Sequence, residues 1–188
     1  CIKLEDKKKK IEIILDSKTT NGIVEGTKVI VCVDTEISKN KYKGKRCFLI
    51  GNGPSLTTED LDLIKDEYSF GCNLIYRLYD KTKWRPTFHF LLDGIFAKNH
   101  PEELAREISS NIFASQDVYH YLKNFNLKND LIYIKMLALT PHTSESFKFT
   151  SPMEYGYPGG TVMTMMFSIA VYLGFDEIYL LGVDCTSS

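Results

Sequence analysis

The sequence predicts an α/β fold: a Rossmann-like, three-layer αβα domain with a mostly parallel sheet over residues 43–188, after a small β-rich appendage and basic linker over residues 1–42. Three observations carry that expectation. Short apolar runs alternate with helix-type segments from residue 47 onward, and such alternation builds parallel sheets covered on both faces. The run at 47–50 breaks at Gly51-Asn52-Gly53-Pro54-Ser55 and resumes as the N-cap signal Thr57-Thr58-Glu59-Asp60, so a strand enters a glycine turn and leaves as a helix. Polar or glycine features fall just past four predicted strands: the 51–55 turn, Asn73, Asp93 and Asp184. Ligands of open parallel sheets bind beyond the carboxyl ends of the strands.

Taken in order, β-type runs at 11–15 and 29–33 are separated by the turn signals Thr20-Asn21-Gly22 and Gly26, which predicts a hairpin or small antiparallel pair. The lysines at 7–10 form a solvated face, and residues 38–45 read as a basic linker. Strand 47–50 leads into helix 58–65, then strand 68–72 and a short helix or irregular piece at 74–80. Pro86 stops that piece, and strand 87–92 follows. Pro101 opens a helix to about 110, with Glu102 and Glu103 in its first turn as the helix dipole prefers. Strand 111–114, helix 116–124 and strand 131–135 precede a long loop at 136–158, rich in proline. Helix 161–173 ends at Gly174, and strand 177–181 is the last. The chain begins at Cys1 rather than methionine and stops just past a strand, so a fragment truncated at its C-terminus is expected.

Net charge is −1, which gives no basic field to gather nucleic acid. The five cysteines at 1, 32, 47, 72 and 185 are odd in number and contain no C-x-x-C pair, which indicates a reducing, cytoplasmic setting and no structural zinc. No apolar run approaches the ~18 residues that span a bilayer, and no signal peptide is visible. Homo-oligomerisation stays open.

Gly51, Asn52, Gly53, Pro54 and Ser55 are candidates for binding a nucleotide phosphate, because backbone N–H groups at a strand–glycine–helix junction converge and favour an anion. An ordinary tight βα turn has the same glycines. Asn52 and Asn73 carry amides that both donate and accept, suited to phosphate, ribose or a base edge, or to a turn. Gly159-Gly160-Thr161 forms a second candidate anion site at a helix start. Asp93 and Asp184 are candidates for acid–base catalysis or for Mg²⁺, with turn or cap residues as the other reading. His142, in the long loop, is the best histidine for catalysis. His89, between Phe88 and Phe90, reads as a satisfied structural histidine. Trp84-Arg85-Pro86 reads equally as a stacking surface or a structural corner.

Several segments together, I-G-N-G-P-S-L (50–56), F-G-C-N-L-I-Y (70–76), D-K-T-K-W-R-P-T-F (80–88) with Asp93, G-G-T-V (159–162) and L-G-F-D-E-I-Y-L-L-G-V-D (173–184), resemble the 6-hydroxymethylpterin diphosphokinase MptE-like family. They are also similar to family 42 bacterial sialyltransferases. The second resemblance implies that Asn52, Ser55 and Asn73 contact a cytidine nucleotide. Both imply a nucleotide site over the glycine turn but different reactions. A sialyltransferase-like enzyme transfers sugar from a nucleotide-sugar to a small-molecule or glycan acceptor in bacterial surface glycan assembly, without metal. A diphosphokinase transfers diphosphate from ATP to 6-hydroxymethyl-dihydropterin and needs Mg²⁺. The expected function is that of a nucleotide-binding transferase, glycosyl transfer first and diphosphokinase second, with an inactive nucleotide- or sugar-binding module as a third reading.

Overall fold

The computed structural model describes residues 10–14, 28–32, 38–134 and 161–184. The N-terminal runs form β1 (Lys10–Ile14) and β2 (Lys28–Cys32), paired antiparallel with Lys10 opposite Cys32. The rest is an alternation: β3 (Arg46–Ile50), α1 (Thr58–Leu63), β4 (Tyr68–Cys72), a 3-10 helix (Asn73–Leu78), β5 (Phe88–Leu91), α2 (Gly94–Asn99), α3 (Pro101–Glu107), β6 (Asn111–Ala114), α4 (Gln116–Leu122), β7 (Leu131–Tyr133), α5 (Val162–Leu173) and β8 (Glu177–Leu181). β3 to β8 form one six-stranded sheet, order β7-β6-β5-β4-β3-β8, every neighbouring pair parallel. The predicted α/β architecture is what forms.

Strand alternation sorts the side chains into two cores. Cys47, Leu49, Phe70, Phe88, Phe90 and Phe113 face α5, where Met165, Met166, Ile169 and Leu173 cover them. Ile50, Ile112 and Ala114 point to the other face, under Leu61, Ile75, Trp84, Leu104, Val118 and Leu122. Phe90 stacks between Phe70 at 5.4 Å and Phe113 at 4.7 Å, cross-strand pairs worth about 0.5–1.5 kcal/mol each beyond their burial. Helix starts follow their caps. Thr57 and Asp60 close a reciprocal capping box on α1, and Thr161 accepts from Thr164 N–H at the start of α5. Gly174, at φ +83°, ends α5.

Two segments differ from their sequence reading. Residues 38–45, exposed except for Tyr42, are anchored on the domain through that residue rather than running free as a linker. Tyr42 is buried, stacks on Phe175 at 4.8 Å, and its N–H donates to Leu173 O, so this segment braces the C-terminal end of α5. The stretch after β5 holds an extra helix, α2. His100 ends it and starts α3, stacking on Phe96 and setting Nδ1 3.2 Å from Glu103. The helix expected to reach about 110 stops at Glu107, where Ile108 turns extended. Trp84 is the corner and not a stacking surface: it is fully buried, and Nε1 donates to Ser69 Oγ at 2.9 Å. Arg85 lies over Tyr79 and donates to the carbonyls of Tyr79, Thr82 and Trp84.

The connection order fixes where the strand order reverses. β3 to β7 are laid down in one direction, and the crossover through α5 returns the chain to the far side of β3. The switch point of the strand order lies between β3 and β8. The 51–55 turn and residues 182–184 follow these two strands.

Candidate functional site at the sheet switch point

The glycine turn is built against the end of β8. Gly51 N–H donates to Leu181 O and Gly53 N–H to Gly182 O, both at 2.8 Å. Ser55 N–H donates to Asp184 Oδ2 at 3.0 Å, and Ser55 Oγ donates to Asp184 Oδ1. The sequence reading directed these N–H groups at a ligand phosphate, and the structure directs three of them at the chain itself. Both glycines are there for contact. A Cβ on Gly53 would lie 2.6 Å from Gly182 O and closer still to Asp184 Oδ2, and one on Gly51 would overlap Gly182 O. Of residues 51–55, only Asn52 keeps an N–H without a partner among the described residues.

Asn52 and Asn73 come together at the end of β4. Asn52 is exposed, and its Nδ2 donates to Cys72 O at 3.2 Å, leaving Oδ1 open. The next carbonyl, that of Asn73, accepts from His89 Nε2 at 3.0 Å. Asn73 takes φ +49°, a left-handed conformation that asparagine tolerates better than other non-glycine residues. Its side-chain amide has no partner among the described residues. Cys72, beneath them, is buried, and desolvation pushes its thiol up to about 12, so it stays neutral. His89 is fully buried, and desolvation pulls it down to about 4. It is therefore neutral near pH 7. Nε2 must carry the proton to donate to a carbonyl, and the bare Nδ1 has no partner among the described residues.

The two aspartates stand apart. Asp93 caps α2, its Oδ1 accepting from Ile95 N–H at 2.9 Å and Phe96 N–H at 3.0 Å. Ser55 holds the Asp184 carboxyl below the usual carboxylate range, its hydroxyl contributing most and its backbone N–H next. β5 and β8 are separated by β4 and β3, three strand spacings or about 14 Å. One ion at ~2.1 Å from each carboxylate does not bridge that span, so these two residues do not ligate one Mg²⁺ directly together. No cluster of three or more His, Cys, Asp and Glu among the described residues forms a metal-binding group.

Thr161 caps α5 on the α5 face of this same edge. Gly159, Gly160 and His142 lie outside the described residues. Sequence reasoning missed the Asp184–Ser55 lock and the His89–Asn73 contact, whereas a cap was already its other reading of Asp93. The cap has a local signal, because Asp93 precedes a run with Phe96 and Ala97 at helical spacing. The two missed contacts join strands far apart in sequence and leave no local signal.

The 6-hydroxymethylpterin diphosphokinase MptE-like family is matched over residues 23–188. No curated protein matches the chain. Among solved structures, a Maf glycosyltransferase from Magnetospirillum magneticum AMB-1 is similar, with 25% identity and a TM-score of 0.59; the match covers 81% of this chain and 25% of that one.

Proposed function

Since this chain belongs to the 6-hydroxymethylpterin diphosphokinase MptE-like family, we propose that it supplies the nucleotide-binding domain of a transferase whose donor is a nucleotide-activated sugar. One observation carries the reading: two side-chain amides, Asn52 and Asn73, stand at neighbouring strand ends beside the switch point of an all-parallel sheet. Asn52 N–H and Oδ1 offer one donor and one acceptor, and Asn73 adds a second amide suited to a base or ribose edge. The Thr161 end of α5 supplies a helix dipole toward a phosphate on the opposite face. Similarity to a protein titled a glycosyltransferase supports sugar transfer.

In that reaction the bond between the anomeric carbon and the phosphate oxygen breaks, and the nucleotide leaves with the electron pair. The acceptor hydroxyl oxygen bonds the same carbon and gives its proton to a base. His142 is the proposed base. Asp93 is the alternative, since its Oδ2 has no partner among the described residues. Asp184 is proposed as a brace for the turn, because both its oxygens hold Ser55.

The family's name favours ATP-dependent diphosphate transfer as the second reading. A thermal-shift panel separates the two. A ligand at 100 times its Kd stabilises by about 2.7 kcal/mol, or about 5–10 °C for a chain of this size. Such a shift with CMP or CDP in EDTA supports sugar transfer. A shift with ATP only when Mg²⁺ is present supports the diphosphokinase. No shift with any nucleotide refutes both.

A further inference from the structure

We propose that His89 is a positioning residue for the nucleotide site: its Nε2–H fixes the left-handed Asn73 turn so that the Asn73 amide faces the ligand. The inference rests on the nucleotide reading above and assigns a role to a residue that touches no ligand. The carbonyls of Cys72 and Asn73, consecutive at the end of β4, are each held from a different neighbouring strand. Asn52 reaches the first from the turn after β3, and His89 reaches the second from the middle of β5. The chain reverses into the 3-10 helix between these two grips, with Asn73 at φ +49°.

Two costs meet at this turn. Asn73 adopts a conformation that L-residues avoid, and its own side chain makes no bond that would offset it among the described residues. His89 places a polar ring in the sheet interior at 0% exposure, with Nδ1 unpartnered among the described residues. A leucine in that layer, near Tyr76, would not carry the second cost in a purely structural role. What the imidazole adds is one directed donor onto Asn73 O. Burial keeps the ring neutral, so the donor is present without a charge in the core. The geometry therefore uses buried polarity to hold the half-buried Asn73 amide in a single orientation.

The test is a double-mutant cycle read by isothermal titration with CMP and with ATP–Mg²⁺, alongside melting temperatures. Glutamine can place its amide nitrogen where Nε2 sits, and leucine cannot. We expect His89→Gln to keep nucleotide affinity within about threefold of wild type, and His89→Leu to lose tenfold or more, whichever variant melts lower. Asn73→Gly should lose comparable affinity, and adding His89→Leu to it should cost nothing further, since the amide it orients is gone. Affinity that follows melting temperature instead of the donor, or additive losses in the double variant, would overturn the positioning role. Wild-type protein that binds neither probe overturns the nucleotide reading and this inference with it, whereas wild-type binding with unchanged affinity in His89→Leu overturns this inference alone.

Discussion

Replacing Gly53 by alanine should destabilise the protein through contact alone. Gly53 is not among the positive-φ glycines, so an alanine meets no backbone penalty there. Its Cβ would stand 2.6 Å from Gly182 O and inside contact distance of Asp184 Oδ2. Neither neighbour retreats cheaply. Gly182 O belongs to the backbone at the end of β8, and Asp184 is held by two bonds from Ser55. Overpacking of this kind costs about 1–3 kcal/mol. Separating the strands also weakens the Gly53 N–H to Gly182 O bond, adding about 1 kcal/mol. For a chain of 188 residues the sum, about 2–4 kcal/mol, corresponds to a fall of about 4–16 °C in Tm. Gly44 is the control. It sits at φ +77° with no heavy atom within 4 Å, so Gly44→Ala meets strain without contact and costs about 1–2 kcal/mol. Differential scanning calorimetry of both variants, with Gly53→Ala/Asp184→Ala as a partial rescue, reads the difference. A Gly53→Ala melting point within 1 °C of wild type, or one no lower than Gly44→Ala, would refute the contact argument. Loss of ligand binding in a Gly53 variant would then report a displaced β8 end as well as a blocked phosphate.

Further outcomes follow from the same contacts. Asp184 has its folded pKa depressed by Ser55, so its contribution is present above the unfolded value near 4 and is lost as pH falls through the folded value; acid titration followed by circular dichroism should show Asp184→Asn losing less stability than wild type below about pH 4. His89 is held neutral at about 4 against an ordinary 6.5, so the unfolded chain takes up its proton first and stability falls as pH drops from about 6.5 to 4. That fall is about 3 kcal/mol, and urea titrations at pH 7 and 4.5 should find it reduced in His89→Gln. Trp84→Phe leaves Ser69 Oγ buried without its donor and should cost about 1–3 kcal/mol by urea denaturation, with nucleotide affinity unchanged.

Much of this molecule follows from its sequence alone. Short apolar runs such as Phe88–Leu91, alternating with helices, are buried on both faces inside a parallel sheet. The junction at 51–58 carries its own glycines and cap, and Thr57 and Asp60 close their box within one helical turn. These signals are local, because conformational preference and capping act between residues a few positions apart. Tertiary structure decided the rest. Nothing in the β3 segment says that β8 will lie beside it, and that placement turns three N–H groups of the glycine turn from a ligand toward Leu181, Gly182 and Asp184. The same strand order sets Asp93 and Asp184 three strands apart, although both satisfy the strand-end rule equally well. His89 reads from sequence as one more buried histidine, and only the pairing of β4 with β5 puts its Nε2 against Asn73. Hydrogen bonds of this kind join residues that are remote along the chain, 129 positions apart for Ser55 and Asp184. Their partners are chosen by how the strands pack, and a sequence pattern read a few residues at a time holds no record of that choice.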